Sequence, residues 1–376
     1  SKVTRIPVAQ PTLGEAEAAA AYETVRGGWV SMGQRVQDFE ERFASIVGAR
    51  YAVAANNGTA ALHMGLLAAG VKESDEVLVP NITFISTPNV VIYERARPVL
   101  VECDPDTYNL SLDDAARRVT ERTTAIIPVD MNGLPVDYDR VAAFAEEHDL
   151  AVIADSAESL GASYKGEPVG TQAHQHIFSF FPNKNLTTGE GGMVTTNDNE
   201  LAKQLRVLRN QGQEGRYNHV ALGYNYRMTD IQASIGLVQL DRTEFTVHDK
   251  QRIATRYDHA FSGHPLIRGP FIPDYVTQHS WYMYAVALDD SVSRDQVAQE
   301  LASAGVETRL SFPPVHMQPY YQNQFGYKHQ DYPISAQAWS QLLDIPIWPG
   351  LPEDQQDEVI DLLQIAVERA SRDVTT

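Results

Sequence analysis

Between residues 50 and 210 the chain alternates short apolar runs with longer amphipathic ones. Tyr51–Ala55, Glu76–Pro80, Thr124–Val129 and Leu150–Asp155 are rich in Val, Ile and Ala and bounded by polar, Gly or Pro residues. That is the pattern of short buried strands. Between them, Ala60–Ala69, Ser111–Thr120, Asp139–His148 and Glu200–Asn210 carry helical patterns. The alternation predicts a mostly parallel sheet with helices on both faces. Two further apolar runs, Ile177–Phe181 and Met193–Thr196, flank a Gly-rich turn. Thr229 is placed to cap a long helical stretch that ends near Phe261 and bends near its middle. The Pro- and Gly-rich segment Gly263–Pro273 reads as a boundary. Strand-like Ser280–Leu288 and helix-like Ser293–Ala304 and Glu353–Ser371 follow it. The expectation is an α/β protein with a large domain over 14–262 and a smaller α/β domain over 263–376. Residues 1–13 are expected to pack on the smaller one.

Composition narrows the class. A chain of 376 residues, 43% hydrophobic, can bury a large core. No apolar run approaches the ~20 residues of a membrane helix. Ser1-Lys2-Val3-Thr4-Arg5 lacks the charged-then-apolar shape of a signal peptide. The single cysteine, Cys103, excludes an internal disulfide framework and fits a reducing, cytoplasmic setting. A formal charge of −19 is a poor footprint for nucleic acid. It leaves room for an anionic small substrate, because a local pocket can be positive on an acidic protein.

Lys184 is the first candidate for chemistry. It sits in Ser179-Phe180-Phe181-Pro182-Asn183-Lys184-Asn185-Leu186-Thr187-Thr188-Gly189-Glu190-Gly191-Gly192, between two strand-like runs. A lysine amine desolvated there can lose its proton and form a Schiff base with an aldehyde. Most loop lysines are simply solvated, so the neighbours along the chain decide. Asp155 ends a strand, where open parallel sheets bind their ligands. It could pair with a protonated ring nitrogen, or cap a following helix. Glu158 could complete a capping box or contact a pocket. Asn56-Asn57-Gly58-Thr59-Ala60 opens a helix after a strand and could present backbone N–H groups to a phosphate. Ser179 adds a hydroxyl nearby. Phe84 follows another strand end and could stack on an aromatic ring, although a lone Phe is more often core. Gly223-Tyr224-Asn225-Tyr226-Arg227-Met228-Thr229, taken alone, is a polar loop and an N-cap. His174 and His176 alternate on one strand face, but two histidines without a third ligand predict no metal site. Arg309 could meet a carboxylate or a phosphate, but reads more readily as half of a surface salt bridge.

Together these segments resemble the DegT/DnrJ/EryC1/StrS aminotransferases, the sugar aminotransferases of the aspartate-aminotransferase (type I) fold. The resemblance runs from Gly27-Gly28-Trp29-Val30-Ser31 to Pro313-Pro314-Val315-His316-Met317-Gln318-Pro319-Tyr320. Within the family, the lysine motif looks nearest to perosamine synthase. The resemblance implies a pyridoxal 5'-phosphate-dependent transaminase. Lys184 would hold the cofactor and shuttle the proton, and Asp155 would keep the pyridine nitrogen protonated. Gly58, Thr59 and Ser179 would hold the phosphate. Phe84 would stack on the ring, and Glu158 would lie near its 3'-oxygen. Asn225 would reach the neighbouring subunit's cofactor, making a homodimer with shared sites. Trp29, Arg227, His316 and Tyr320 are the candidate substrate contacts.

The expected reaction moves an amino group from glutamate to a keto sugar on a nucleotide. The alternative acceptor is a cyclitol ketone, or an aldehyde in amino-acid or antibiotic biosynthesis, on a carrier protein or free. A sugar dehydratase of the same fold generally has His in place of the lysine, so Lys184 argues against it. A non-catalytic regulator is expected to carry a DNA-binding appendage, and none is read in these residues. Two departures bear on the substrate. Asp130-Met131-Asn132-Gly133 stands where many relatives have a His-Leu-Tyr-Gly-like run, and Phe181 stands where some have His or Tyr.

Overall fold

A computed structural model describes residues 3–372. The expectations for residues 1–2 and 373–376 lie outside the described residues. Two helices come first, α1 (Glu15–Gly27) and α2 (Gln34–Val47), neither of them read from the sequence. The alternating region then supplies β1 (Tyr51–Ala55), α3 (Gly58–Ala68), β2 (Glu76–Pro80), α4 (Ser86–Tyr93) and β3 (Arg97–Val101). It continues with α5 (Leu112–Arg118), β4 (Thr123–Ile126), α6 (Tyr138–His148) and β5 (Ala151–Asp155). A two-residue pair, β6 (Ser163–Tyr164) and β7 (Glu167–Pro168), precedes β8 (Gln175–Ser179), β9 (Gly192–Thr196) and α7 (Asn199–Arg209).

Seven strands form the main sheet in the order β1-β9-β8-β5-β4-β2-β3. Only β9 runs against the others. The sheet is buried on both faces, as parallel strands require. Val53, Ile153, Ile177 and Val194 pack beneath α3, α4 and α7. Ala52, Ala54, Phe178 and Met193 pack on Phe39 and Phe43 of α2. Val152 and Ala154 meet Val141 and Phe144 of α6. The strand at 124–129 stops at Ile126, and beyond Pro128, which has no N–H to give a ladder, Val129 makes only an isolated bridge with Asp155.

Thr229 does cap the long helical stretch: its hydroxyl accepts from Gln232 N, and the Gln232 side chain returns to Thr229 N. The stretch breaks at Asp241–Arg242 into α8 (Asp230–Leu240) and α9 (Thr243–Phe261). A second sheet follows from β10 (Ile267–Arg268), β12 (Tyr284–Leu288) and β13 (Leu342–Ile345), while β11 (Val276–Gln278) joins β6. The remaining helices are α10 (Arg294–Ser303), α11 (Pro319–Phe325), α12 (Pro333–Gln341) and α13 (Glu353–Arg372). A separate core gathers Ile253, Tyr257 and Phe261 of α9 with Val286, Leu343, Val297 and Leu363. Ile6 enters this core and bridges Val306. Part of the region after residue 263 therefore draws on α9 for its apolar contacts, while Tyr321 and Tyr332 pack in the core beneath α3 and α4.

Candidate active site

The sheet's topology brings one end of β1, β2, β5 and β8 to a common edge, where β9 begins. Gly192 pairs with both Ala55 and Ser179, so those two strand ends lie on either side of it. Asn57 caps α3 by accepting from Ala60 N at 2.7 Å. The N–H groups of Gly58 and Thr59 lie in the helix's first turn, where no intrahelical acceptor exists. A side chain on Gly58 would lie 2.9 Å from the Ser179 Cβ, and one on Gly192 would lie 2.5 Å from the Asn57 carbonyl oxygen. The absent Cβ atoms let the turn close beside the Ser179 hydroxyl. Two N–H donors, a hydroxyl and a helix dipole converge there, which suits a phosphate.

Asp155 is buried, and no helix follows it: the chain turns irregularly from Ser156 to Gly161. The capping roles open to Asp155 and Glu158 are therefore ruled out. One Asp155 oxygen accepts from the Thr87 hydroxyl at 2.8 Å and the other from Ala157 N at 3.2 Å. Burial raises its pKa, against the hydrogen bonds and the nearby Lys184 charge. A carboxylate buried this way gains from an added cation, such as a ring N–H⁺. Glu158 is also buried and accepts from Asn132 N at 2.6 Å. Burial pushes its pKa up to about 7, opposed by Lys184 and Arg309.

Lys184 lies in the turn between β8 and β9, half-buried, with its ammonium 4.3 Å from the centre of the Tyr282 ring. The Tyr282 hydroxyl accepts from Asn183 Nδ2 and from Arg309 Nη1, each at 3.0 Å. Arg309 pairs with Asp344 at 2.8 Å, but Asp344 is fully buried. The surface salt bridge read from the sequence is thus an internal one. The guanidinium lies against the Tyr282 and Phe312 rings. Its Nη2 has no partner although it is buried, and neither do Asn183 Oδ1 and Asn132 Oδ1. Buried polar atoms are nearly always paired, so three orphans in one cluster mark a place for a ligand. Phe84 is 53% exposed and touches Phe312 at 5.6 Å between centroids. It offers an open ring face at the same edge.

The structure therefore brings together Lys184, Asp155, Glu158, Gly58, Thr59 and Ser179, with Phe84 at their margin. The donors and carboxylates fit pyridoxal phosphate: a phosphate cradle at α3, an anion for the ring nitrogen, and an amine for the aldehyde. Three members escaped sequence reading: Thr87, three residues after Phe84, Asn183, which directly precedes Lys184, and Tyr282, which reads only as strand. Arg309 reads from sequence as a surface pair before a ligand contact.

The expected substrate contacts do not converge. His316 is fully buried, its ring nitrogens engaged by Asn81 Nδ2 and the His329 carbonyl, so it packs a loop rather than facing a substrate. Arg227 donates to Asn210 Oδ1. Trp29 and Tyr320 are exposed, 61% and 54%. Asn225 is exposed too, and among the described residues no hydrogen bond ties its side chain to the cluster. Asp130, from the divergent segment, is a core group: it accepts from Ser159, Ser156, Tyr138 and Val136 N. His176 bonds Ser156 there, with its pKa pushed down to about 3 by burial, and His174 accepts from Val152 N. No group of acidic, His or Cys residues suited to a metal occurs among the described residues.

The profile of the DegT/DnrJ/EryC1/StrS aminotransferase family matches residues 11–364. GDP-perosamine synthase of Caulobacter vibrioides is 40% identical over 370 residues, covering 96% of this chain and 98% of that one. The spore coat polysaccharide biosynthesis protein SpsC of Bacillus subtilis is 37% identical over 381 residues, covering 97% and 98%. Among solved structures, Spr1654 of Streptococcus pneumoniae in its PMP form superposes with a TM-score of 0.94 at 30% identity, covering 99% of this chain and all of that one. The same protein is also solved in a PLP form. With its fold, its lysine loop and its phosphate cradle in place, the chain belongs to the DegT/DnrJ/EryC1/StrS aminotransferase family, whose members are pyridoxal-phosphate-dependent enzymes of type I fold.

Proposed function

We propose that this aminotransferase moves the amino group of glutamate to a keto sugar carried on a nucleotide. The observation that carries the reading is the grouping of half-buried Lys184 and Arg309 with buried Asp155, in a chain 40% identical to a GDP-perosamine synthase. When bound, pyridoxal phosphate supplies a reactive aldehyde and an electron-withdrawing ring. The N-terminus of α3 and Ser179 hold its phosphate. Asp155, whose oxygens accept from the Thr87 hydroxyl and Ala157 N, would supply the counter-charge for the ring nitrogen. Lys184 gives and takes the proton at the carbon that loses or gains the amino group. The free Nη2 of Arg309 supports an amino donor that bears a carboxylate, because that N–H edge can donate to one carboxylate oxygen. The reaction proceeds in two halves. In the first, glutamate takes up water, gives up its amino group for the cofactor to hold and leaves as 2-oxoglutarate; in the second, that nitrogen would replace the sugar's ketone oxygen, which departs as water.

The active unit in this reading is a homodimer that shares its sites, with Asn225 reaching the partner's phosphate cradle. A large domain over 14–262 and a small one over 263–376 flank the site, with 1–13 packed on the small one. The lone cysteine fits a cytoplasmic setting. No helix among the described residues is long and apolar enough to cross a membrane.

The test is a spectroscopic substrate screen. The protein is first taken through the glutamate half-reaction, and candidate ketones are then offered. Return of the starting absorption with a nucleotide-linked keto sugar, and competition by the nucleotide diphosphate alone, are the expected results. Amination of a free cyclitol ketone or a carrier-linked aldehyde, with no inhibition by any nucleotide diphosphate at millimolar concentration, would replace this acceptor with the alternative.

A further inference from the structure

A second lysine stands behind the first. Lys250, on α9, is 4% exposed, and its Nζ donates to Asn185 Oδ1 at 2.9 Å and to the Trp281 carbonyl at 3.1 Å. Among the described residues no carboxylate pairs with it. It shares a small cavity with Lys184, Asn183, Asn185 and Gln239. A buried, unpaired amine is costly, and a methionine or leucine would fill the same space, so its presence calls for a role.

The contacts of Asn185 indicate that role. Asn185 directly follows Lys184. Its Nδ2 donates to the Leu160 carbonyl at 3.0 Å and to the Ser280 carbonyl at 2.8 Å. On the other side of Lys184, Asn183 donates to Tyr282. The lysine is therefore bracketed by two asparagines that grip one short segment, Ser280–Tyr282. Lys250 closes the bracket by holding Asn185 and Trp281 at once. Trp281 needs such a hold: its φ of 56° is left-handed, which a bulky residue rarely adopts. Its N–H donates to His279 Nδ1, and the two rings stack at 3.9 Å. An amine with two acceptors in place satisfies two N–H groups, as a neutral lysine presents. Burial pushes Lys250 down to about 7, and burial first, with Lys250 second, pushes His279 down to about 3.

We infer that Lys250 is a positioning residue for Lys184: through Asn185 it sets the height of the lysine loop against the Ser280–Tyr282 segment. This rests on the reading of Lys184 as the cofactor lysine. The experiment measures, across pH, how fast the full chain, stripped of cofactor, captures added pyridoxal phosphate. Borohydride fixes the adduct and mass spectrometry locates it. Lys250→Met, or Lys250→Leu if that folds better, should slow capture at Lys184 about tenfold or more and remove an inflection near neutral pH. The melting temperature, read alongside, separates a loss of positioning from a loss of fold, since the change also leaves the Asn185 and Trp281 acceptors unpaired. Asn185→Ala should slow capture as well, and adding Lys250→Met to it should cost nothing further. Capture at the wild-type rate and pH profile in the Lys250 variant would overturn the inference, as would a full additional loss in the double variant. If the wild-type chain traps no adduct on Lys184, the functional reading itself fails, an outcome distinct from either.

Discussion

At the scale of single residues, burial separates chemistry from packing. Asp155 and His316 are both buried polar groups; Asp155 accepts from the Thr87 hydroxyl and Ala157 N beside Lys184, whereas both ring nitrogens of His316 are taken by Asn81 and the His329 carbonyl. Asp155→Asn keeps the shape and a hydrogen-bond acceptor but loses the anion. Turnover should fall by more than tenfold, above ~1.4 kcal/mol in barrier terms, with little change in melting temperature. A smaller loss would assign Asp155 a structural role. Glu158 gives a second expectation, in stability. Burial raises its folded pKa to about 7. Between the unfolded value and pH 7 the folded chain binds the extra proton, so stability falls as pH rises through that window. Glu158→Gln should flatten that fall and gain a few kcal/mol at pH 8 relative to wild type. Urea titrations at pH 5 and pH 8 check it, and equal slopes in both proteins would refute it.

At the scale of elements, the phosphate cradle depends on how tightly a helix start can approach a strand end. Gly58→Ala puts a Cβ 2.9 Å from that of Ser179. The α3 start must then move away, and cofactor affinity should fall about tenfold while the apo fold persists. Asn57→Ala removes the cap on Ala60 N and should cost about 1 kcal/mol of stability. Equilibrium dialysis against pyridoxal phosphate, with thermal melts, separates the two effects. Unchanged affinity in Gly58→Ala would remove α3 from the phosphate site.

For the whole molecule, the open question is the partner. Phe84, Phe181, Tyr217 and Leu222 are exposed at 53%, 47%, 75% and 83%, all within segments that carry or adjoin site residues. Mixing inactive Lys184→Ala and Asn225→Ala chains should restore part of the activity, since one of the two sites in a mixed dimer keeps both groups. Co-refolded mixtures that stay dead, or a fully active monomer in sedimentation, would count against shared sites.

The alternation of apolar runs determined six of the seven strands of the main sheet, most of its helices and the edge where the site forms, while β3 and α4 went unread. Period-2 and period-3.6 patterns act over a few residues, and the strand ends are fixed by them. The Gly-rich turns were legible for a similar reason: only Gly fits a backbone that must approach another so closely. The helices α1 and α2 went unread, because an Ala-rich run and a short amphipathic one carry little signal until a partner surface exists. Arg309, Tyr282, Thr87 and Lys250 come from distant parts of the chain, and their neighbours are set by packing rather than spacing. Whether Arg309 is a surface pair or an internal one depends on Asp344 being buried. Whether His316 meets a substrate or a loop depends on Asn81 and His329. Electrostatics and burial act through space, so these roles were decided by the tertiary structure alone.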